Sequence, residues 1–527
     1  MTRNVTQWTT SQVIKRQAQC RPDAIAIEFI DGPSFTYSEL YRRAKSIAAG
    51  LNDIGFAAGD KLACLLPNGP EFVDMWLGCH QADGVLVALN TELIGQFLLH
   101  ALNLSEASVL VCDAYQAAKL SEIAGKLTHL TTVIIIDGKD VSVIPNINVM
   151  PVSSLYVDPA NIAEPESQFN NLAALIFTSG TTGPSKAVMM PHAHCYLFAQ
   201  GTIDNLDLKQ SNCYYICLPL FHANGLFMQL YACLVAGAKA VIRSRFSASQ
   251  WLTDIQRVRA THTNLLGVMA EFIDRQPVMG NETEHNLRVI AAAPAAPAMI
   301  TRFKQRFAVK MIELYGMSEV NIPLCNPLED SRPGSCGKPY SAYFEVRIAD
   351  PESDIPCAAG EVGEIQVRPK LASGFMSGYY QMPDKTVEAW RNLWFHTGDA
   401  GRCDADGYYY FVDRLKDCLR RRGENISSYE VETAINALDG VKESAVIGVP
   451  SEIPGGEEEV MAIIVADGNI TAQQVFSHCQ TCVPAYALPR YIRFMQESAI
   501  PRTATNKIRK VTLREQGVTT DTWDSTD

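Results

Sequence analysis

The stretch LIFTSGTTGPSKAVMM, residues 175–190, decides the fold and points to its chemistry. It opens on a short, continuous apolar run, the kind found in strands buried on both faces. A polar turn follows, built from Thr178, Ser179, Gly180, Thr181, Thr182 and Gly183, and a second apolar strand is expected after Lys186. Glycines let the backbone turn its N–H groups inward, hydroxyls add donors and the lysine supplies charge, which is what a polyphosphate cradle requires. A Walker loop is excluded, because it wants four residues between its first glycine and the Gly-Lys pair and a helix afterwards. Taken alone, the stretch also reads as an ordinary polar hairpin turn.

On the N-terminal side, helical and strand-like periods trade places from Ala24 to about Ile136, the pattern of a sheet with helices on its faces. TYSEL (Thr36–Leu40) leads into the helical YRRAKSIAAGLNDIG and then the strand-like KLACLL. Residues 142–168, rich in Pro, Asn and Ser, read as a long surface connection. Alternation resumes over Asn171–Asp413, with strands expected at LAALIF, YYICLPL, LRVIAAA, VKMIEL and GEIQVR. Beyond Asp413 the composition changes. A basic stretch, DRLKDCLRRRGEN, precedes a compact α/β module with a helix opened by a Ser427–Glu430 capping box, strands ESAVIGV and EVMAIIVAD, a helix TAQQVFSHCQTCV and a strand YIRFM. The expected class is therefore α/β, with a large N-terminal body of several subdomains, residues 1–413, and a smaller C-terminal domain, 414–527.

Composition narrows the function classes. The 527 residues carry 45 basic and 57 acidic side chains, a net charge of −12, with no run of cations long enough to track a nucleic-acid backbone. No nucleic-acid partner is expected. The first residues lack the apolar core of a signal peptide, and the most hydrophobic stretch, Tyr214–Ile242, is interrupted by His222, Asn224, Gln229 and Lys239, so no membrane span is expected. Fifteen cysteines scattered through apolar segments read as reduced, buried thiols of a cytoplasmic protein. Cys479 and Cys482 have the spacing of a metal or redox half-site, but no second half-site follows.

The cradle is followed by LPLFHANG (Leu218–Gly225), AAAP (Ala291–Pro294), ELYGMSE (Glu313–Glu319), RPGSCGKP (Arg332–Pro339), SGYYQMPDKT (Ser377–Thr386), WFHTGD (Trp394–Asp399), YYFVDRLKDCLRRRGENISSYEVE (Tyr409–Glu432) and PRTATNKIRK (Pro501–Lys510). In order and spacing the series resembles the adenylate-forming superfamily of acyl-CoA synthetases, peptide-synthetase adenylation domains and firefly-type luciferases. It is most similar to the acyl-CoA ligase branch that includes crotonobetaine/carnitine-CoA ligases.

That resemblance implies ATP, Mg²⁺ and coenzyme A as ligands, a small carboxylic acid as substrate, and roles residue by residue. Residues 178–186 correspond to the loop for the β- and γ-phosphates, with Lys186 as its cation. Glu319, aided by Thr178, corresponds to the Mg²⁺ site. Tyr315 stacks on adenine, with the Ala291–Pro294 strand end on its other face, and Ala292, Pro294, Gly316 and Ser318 count among the nucleotide contacts. Asp399 holds the ribose hydroxyls, joined by Arg414. His222 gates the acyl pocket. Lys507 sits on the C-terminal domain's mobile loop and bridges the α-phosphate and the substrate carboxylate, where a cation offsets the repulsion between two anions. Lys416 is the hinge about which that domain turns between the two half-reactions, and Gly423 lines the pantetheine tunnel. The Arg420–Arg422 run reads equally as a contact for CoA phosphates or as a solvated face, and Arg509 and Lys510 read as solvated basic residues.

Three departures from the family pattern stand out. Ala187 follows the loop lysine, Ser185 occupies a position where Pro is usual, and Asn506 precedes Lys507 where Gly is common. The function implied is an ATP-dependent acid–CoA ligase of fatty-acid-type metabolism. Transfer to an amine or a carrier protein is the alternative, and a luciferase-type oxygenase or a non-catalytic nucleotide-binding homologue are the lesser ones. The acyl group and the oligomeric state, a homodimer included, stay open.

Overall fold

The computed structural model describes all residues except 1–4, 139–143, 160–161, 179–184, 416–418, 422–423, 427, 452–457, 469, 484, 503–506 and 527. The chain packs as two compact units. The first comprises Met1–Thr178, Ser185–Val346 and Val367–Trp390; the second takes Arg347–Gln366 and Arg391–Asp527.

Two large sheets organise the first unit. One has seven strands in the order Asn148–Pro151, Thr132–Ile135, Val109–Cys112, Lys61–Leu65, Val85–Ala88, Leu172–Thr178 and Lys186–Pro191. Every pairing is parallel except the last, the hairpin that carries the phosphate-loop sequence. Strands such as Val85–Ala88 are buried at every residue, as the continuous apolar runs foretold. The 142–168 segment is not all connection: Asn148–Pro151 adds an edge strand and Val152–Leu155 a 3₁₀ turn. Gly50 lets that turn approach, since a Cβ there would lie 2.4 Å from the Leu155 carbonyl oxygen.

The second sheet has nine strands, in the order Lys338–Pro339, Asn321–Cys325, Lys310–Met317, Val289–Ala292, His262–Leu265, Cys213–Ile216, Lys239–Ile242, Ile25–Phe29 and Ser34–Thr36. Its six central strands run parallel, so the segments beyond their carboxyl ends form the crevice where ligands of such sheets bind. TYSEL ends this sheet and starts a helix: Thr36 caps Tyr37–Asp53 and Glu39 completes the capping box.

The second unit contains most of a five-stranded sheet, in which Trp394–Cys403 pairs antiparallel with Tyr409–Arg414. Its C-terminal portion is a four-stranded sheet, Val441–Pro450, Glu458–Ala466, Tyr491–Phe494 and Trp523–Asp524. Helices Ser428–Asn436 and Ala472–Cys482 cover one face and bury Val431, Ile435, Val475 and Cys479 against Val446, Val460, Ala462 and Ile464. The expected Ser427 cap lies outside the described residues. Asp413 meets the first turn of that helix, its Oδ2 accepting from Ser428 Oγ (2.6 Å) and the Tyr429 N–H (3.2 Å). Cys479 sits in this core, Cys482 is exposed, and both are free thiols.

Candidate active site

The first unit gathers one set of the sequence-marked residues. Thr178 and Lys186 are register partners at the mouth of the hairpin, and the Thr178 hydroxyl points to the Lys186 carbonyl (3.4 Å). Ser179, Gly180, Thr181, Thr182 and Gly183 lie outside the described residues. Lys186 reaches across to the SGYY segment, which runs alongside its strand through Ser377 N–H to Met189 O (2.9 Å) and Tyr380 N–H to Ala187 O (2.8 Å). Its Nζ lies 3.8 Å from the centroid of the Tyr379 ring, close enough for a cation–π contact. The Tyr379 hydroxyl donates to Glu319 Oε1 (3.0 Å), and Glu319 is only 4% exposed.

Glu319 is placed by its own turn. His194 is fully buried and bridges the carbonyls of Ser318 (2.8 Å) and Gly374 (3.2 Å). Burial holds its pKa down to about 4, against the pull of the Ser318 and Gly374 carbonyls. Among the described residues no group of three or more His, Cys, Asp or Glu could hold a metal. A single buried carboxylate suits an ion such as Mg²⁺ that is otherwise held by substrate phosphates and water.

Tyr315 and Gly316 lie on the strand Lys310–Met317, and Gly316 is required there because a Cβ would come 2.4 Å from the Asn321 carbonyl oxygen. Ala292 and Glu313 are register partners on adjacent strands, and Pro294 stands just beyond, after a cis peptide bond. Sequence reasoning passed over Glu313. It is 8% exposed, its Oε2 has no hydrogen-bond partner among the described residues, and burial pushes its pKa up to about 8 against the pull of the Ala295 backbone. An acidic residue inside an apolar strand was the available signal.

The His222 ring lies tilted against Phe221 with ring centroids 4.6 Å apart, and the His222 carbonyl accepts from the Leu226 N–H (3.0 Å). The helix that follows, Asn224–Tyr231, is a π-helix, a form concentrated at functional sites. A carboxamide chain borders it: Tyr214 Oη donates to Asn264 Oδ1 (2.5 Å), while Asn264 Nδ2 (2.7 Å) and Gln229 Nε2 (3.0 Å) both donate to Asn224 Oδ1.

The second unit gathers the other set. Asp399, 1% exposed, pairs across strands with Arg414, whose Nε lies 2.8 Å from Asp399 Oδ1. Lys507 feels both. Part of its surface stays open to solvent, yet the surrounding protein lowers its pKa, Arg414 adds to that, and Asp399 opposes it. Lys416 and Gly423 lie outside the described residues. Arg421 fits neither reading of the basic run, being 8% exposed, with its guanidinium on Glu459 (2.6 Å) and the Leu488 carbonyl (3.0 Å). Lys510 is not a solvated end either, because it pairs with Glu432 (2.8 Å) and also contacts Ser428 Oγ.

The AMP-binding enzyme family profile matches residues 14–380, and that of the AMP-binding enzyme C-terminal domain matches 430–507. The chain belongs to the AMP-binding enzymes. It is 31% identical to a feruloyl-CoA synthase of Amycolatopsis sp, over 95% of this chain and 97% of that one. It is 29% identical to the long-chain fatty acid transport protein 1 of Rattus norvegicus, over 97% and 82% respectively. The structure resembles ATP-bound MatB from Rhodopseudomonas palustris at a TM-score of 0.83 and 27% identity, covering 96% of this chain and 98% of that one. With these relatives this AMP-binding enzyme is an AMP-forming acid–CoA ligase. Among its described residues, no helix is long and apolar enough to cross a membrane.

Proposed function

We propose that the protein activates a small carboxylic acid with ATP and Mg²⁺, releases pyrophosphate, and passes the acyl group from the adenylate to the thiol of coenzyme A. The observation that carries this reading is the convergence of Asp399, Arg414 and Lys507 in one unit. Asp399 would accept the ribose hydroxyls, with Arg414 holding its carboxylate in line. Lys507 would lie between the substrate carboxylate and the α-phosphorus, where attack sets anion against anion and a positioned cation favours the transition state over the ground state. Lys186 and Thr178, with the loop 179–183, would take the β- and γ-phosphates. Glu319 would hold Mg²⁺, which neutralises phosphate charge when bound. Tyr315 with Gly316, Ser318, Ala292 and Pro294 would receive the adenine, and His222 would stand at the acyl pocket.

Transfer to CoA needs Lys507 out of the way and a thiol in its place. A turn of the 414–527 domain about Lys416, with Gly423 against the pantetheine arm, would do both. Coenzyme A is favoured over an amine or a carrier protein because the relatives include a feruloyl-CoA synthase. All described cysteines are free, most of them buried, which supports a reducing, cytoplasmic setting.

The test is carboxylate-dependent exchange of labelled pyrophosphate into ATP across a panel of aliphatic, aromatic and dicarboxylic acids. Exchange with at least one acid, followed by thioester formation on adding CoA, is expected. Absence of exchange with every acid would sink the adenylation reading, and an adenylate inert to CoA but reactive with amines would move the acceptor.

A further inference from the structure

Behind the Asp399 carboxylate lies a buried polar cluster with no part in the chemistry described so far. Glu364, on the strand Val362–Pro369, is 3% exposed. Its two carboxylate oxygens are used in different directions. Oε1 accepts the Gly398 N–H (2.9 Å), and Oε2 lies 2.6 Å from His396 Nδ1. Arg391 Nη2 (2.8 Å) and Gln366 Nε2 (3.3 Å) approach the same Nδ1, which therefore sits among one carboxylate oxygen and two donors. The other ring nitrogen faces Asp354 Oδ1 at 3.5 Å, and Gln366 Nε2 donates to that same Asp354 oxygen (2.9 Å). Arg347 in turn donates to Gln366 Oε1 (2.9 Å), and Arg391 also reaches His396.

What these groups hold is the backbone of the His396–Asp399 turn. Gly398 has φ +71° and so departs from ordinary strand geometry. Three hydrogen bonds pin it there: Glu364 takes the Gly398 N–H, the Thr397 hydroxyl donates to the Ile365 carbonyl (2.6 Å), and the Leu415 N–H donates to the Gly398 carbonyl (2.9 Å). The Thr397 hydroxyl also accepts the Asp399 N–H (3.1 Å). Removing a carboxylate from water is unfavourable unless it is well paired, and an apolar residue of the same volume generally stabilises such a position as well or better. Gln366 Nε2 also donates to Glu364 Oε2 (3.3 Å), and a buried Glu spent on a glycine amide, an imidazole and a carboxamide is better explained by orientation than by stability.

We propose that Glu364 is a positioning residue for nucleotide recognition: through the Gly398 amide and His396 it fixes the direction in which Asp399 presents its carboxylate to the ribose. This rests on the reading of Asp399 as the ribose contact. The geometry makes the role specific. A shift of the Gly398 peptide would swing Asp399 and its Arg414 partner, while the Lys186–Tyr379–Glu319 group belongs to the other unit and would keep its own contacts.

The experiment compares binding of AMP and of 2′,3′-dideoxy-AMP to the full-length protein by calorimetry, for wild type and Glu364→Gln, with melting temperature as a check on folding. Glu364→Gln is expected to weaken AMP about tenfold, the loss of one well-directed hydrogen bond. Binding of the dideoxy nucleotide, which lacks the hydroxyls that Asp399 would hold, should stay unchanged within about twofold. Equal weakening of both nucleotides would make Glu364 merely structural, and no weakening of either would also overturn the proposal. Should Glu364→Gln not fold, Glu364→Asp carries the same comparison, because it keeps the charge and withdraws the oxygens by one methylene. If wild type binds both nucleotides equally, the Asp399 reading fails instead, which keeps the two failures apart.

Discussion

The ammonium of Lys186 rests 3.8 Å from the centre of the Tyr379 ring, and the hydroxyl of that ring donates to Glu319. One phenol thus orders a cation on its face and a carboxylate at its edge. A direct Lys–Glu salt bridge would satisfy both charges with each other. A ring placed between them leaves each oriented for the groups assigned to it here, phosphate for Lys186 and Mg²⁺ for Glu319. Tyr379→Phe keeps the ring and deletes the donor. Its expected effect is a loss of about tenfold in exchange rate, in line with one hydrogen bond to a charged group, together with a higher Mg²⁺ requirement. Tyr379→Leu removes both contacts and should be worse. Titrating the exchange reaction against Mg²⁺ measures this, and an unaltered Mg²⁺ dependence in both variants would detach Tyr379 from the metal.

Lys507 should separate the two half-reactions. Lys507→Ala is expected to reduce pyrophosphate exchange by about a hundred- to a thousand-fold, the usual loss for one preorganised charge contact. Thioester formation from a supplied acyl-adenylate should stay within about threefold of wild type, because only the first step contains the anion–anion encounter. Equal loss in both steps would assign Lys507 to general nucleotide binding.

How much of this was legible in the sequence depended on how local each cause was. The strands Leu172–Thr178 and Val289–Ala292 could be read directly, since a strand covered on both faces has to be apolar throughout. The Thr36–Glu39 capping box is local too. Tyr379 and Glu319 are 60 residues apart, and Glu364 and Gly398 are 34 apart, so nothing in either segment announces its partner. Arg421 misled for the same reason: its place in a basic run suggested a charged surface, while the carboxylate that draws it inward belongs to Glu459, on another strand. The edge strand Asn148–Pro151 was hidden by the proline that ends it, which an edge position tolerates.

Glu313 makes stability depend on pH. Burial raises its pKa from 4.5 to about 8, so the folded state binds this proton more tightly than the unfolded chain does. The stability it contributes is fully present below pH 4.5 and is lost progressively as pH rises through 8. Within that window each further pH unit removes about 1.4 kcal/mol. Glu313→Gln is of the same size and never ionises. Wild type should therefore lose more melting temperature than Glu313→Gln between about pH 5 and about pH 8.5, and parallel curves for the two proteins would show that the Glu313 carboxylate is not held in its neutral form.

Lys510 stands three residues beyond Lys507, and the two should behave oppositely. Lys510 pairs with Glu432 at 2.8 Å, with side chains 16% and 15% exposed. Glu432 Oε1 also accepts the Val446 N–H (2.6 Å), and burial raises the Glu432 pKa while Lys510 pulls it back. Lys510→Met would leave that carboxylate buried without its cation and should lower stability by about 3 kcal/mol, the lower end for breaking a buried pair. Adding Glu432→Gln removes the stranded charge and should recover part of the loss, the non-additivity expected of residues in contact. Both variants, assayed well below their melting temperatures, should exchange pyrophosphate at close to the wild-type rate, whereas Lys507→Ala should melt normally and exchange poorly. A Lys510→Met protein of normal stability but low activity would transfer Lys510 from the scaffold to the chemistry.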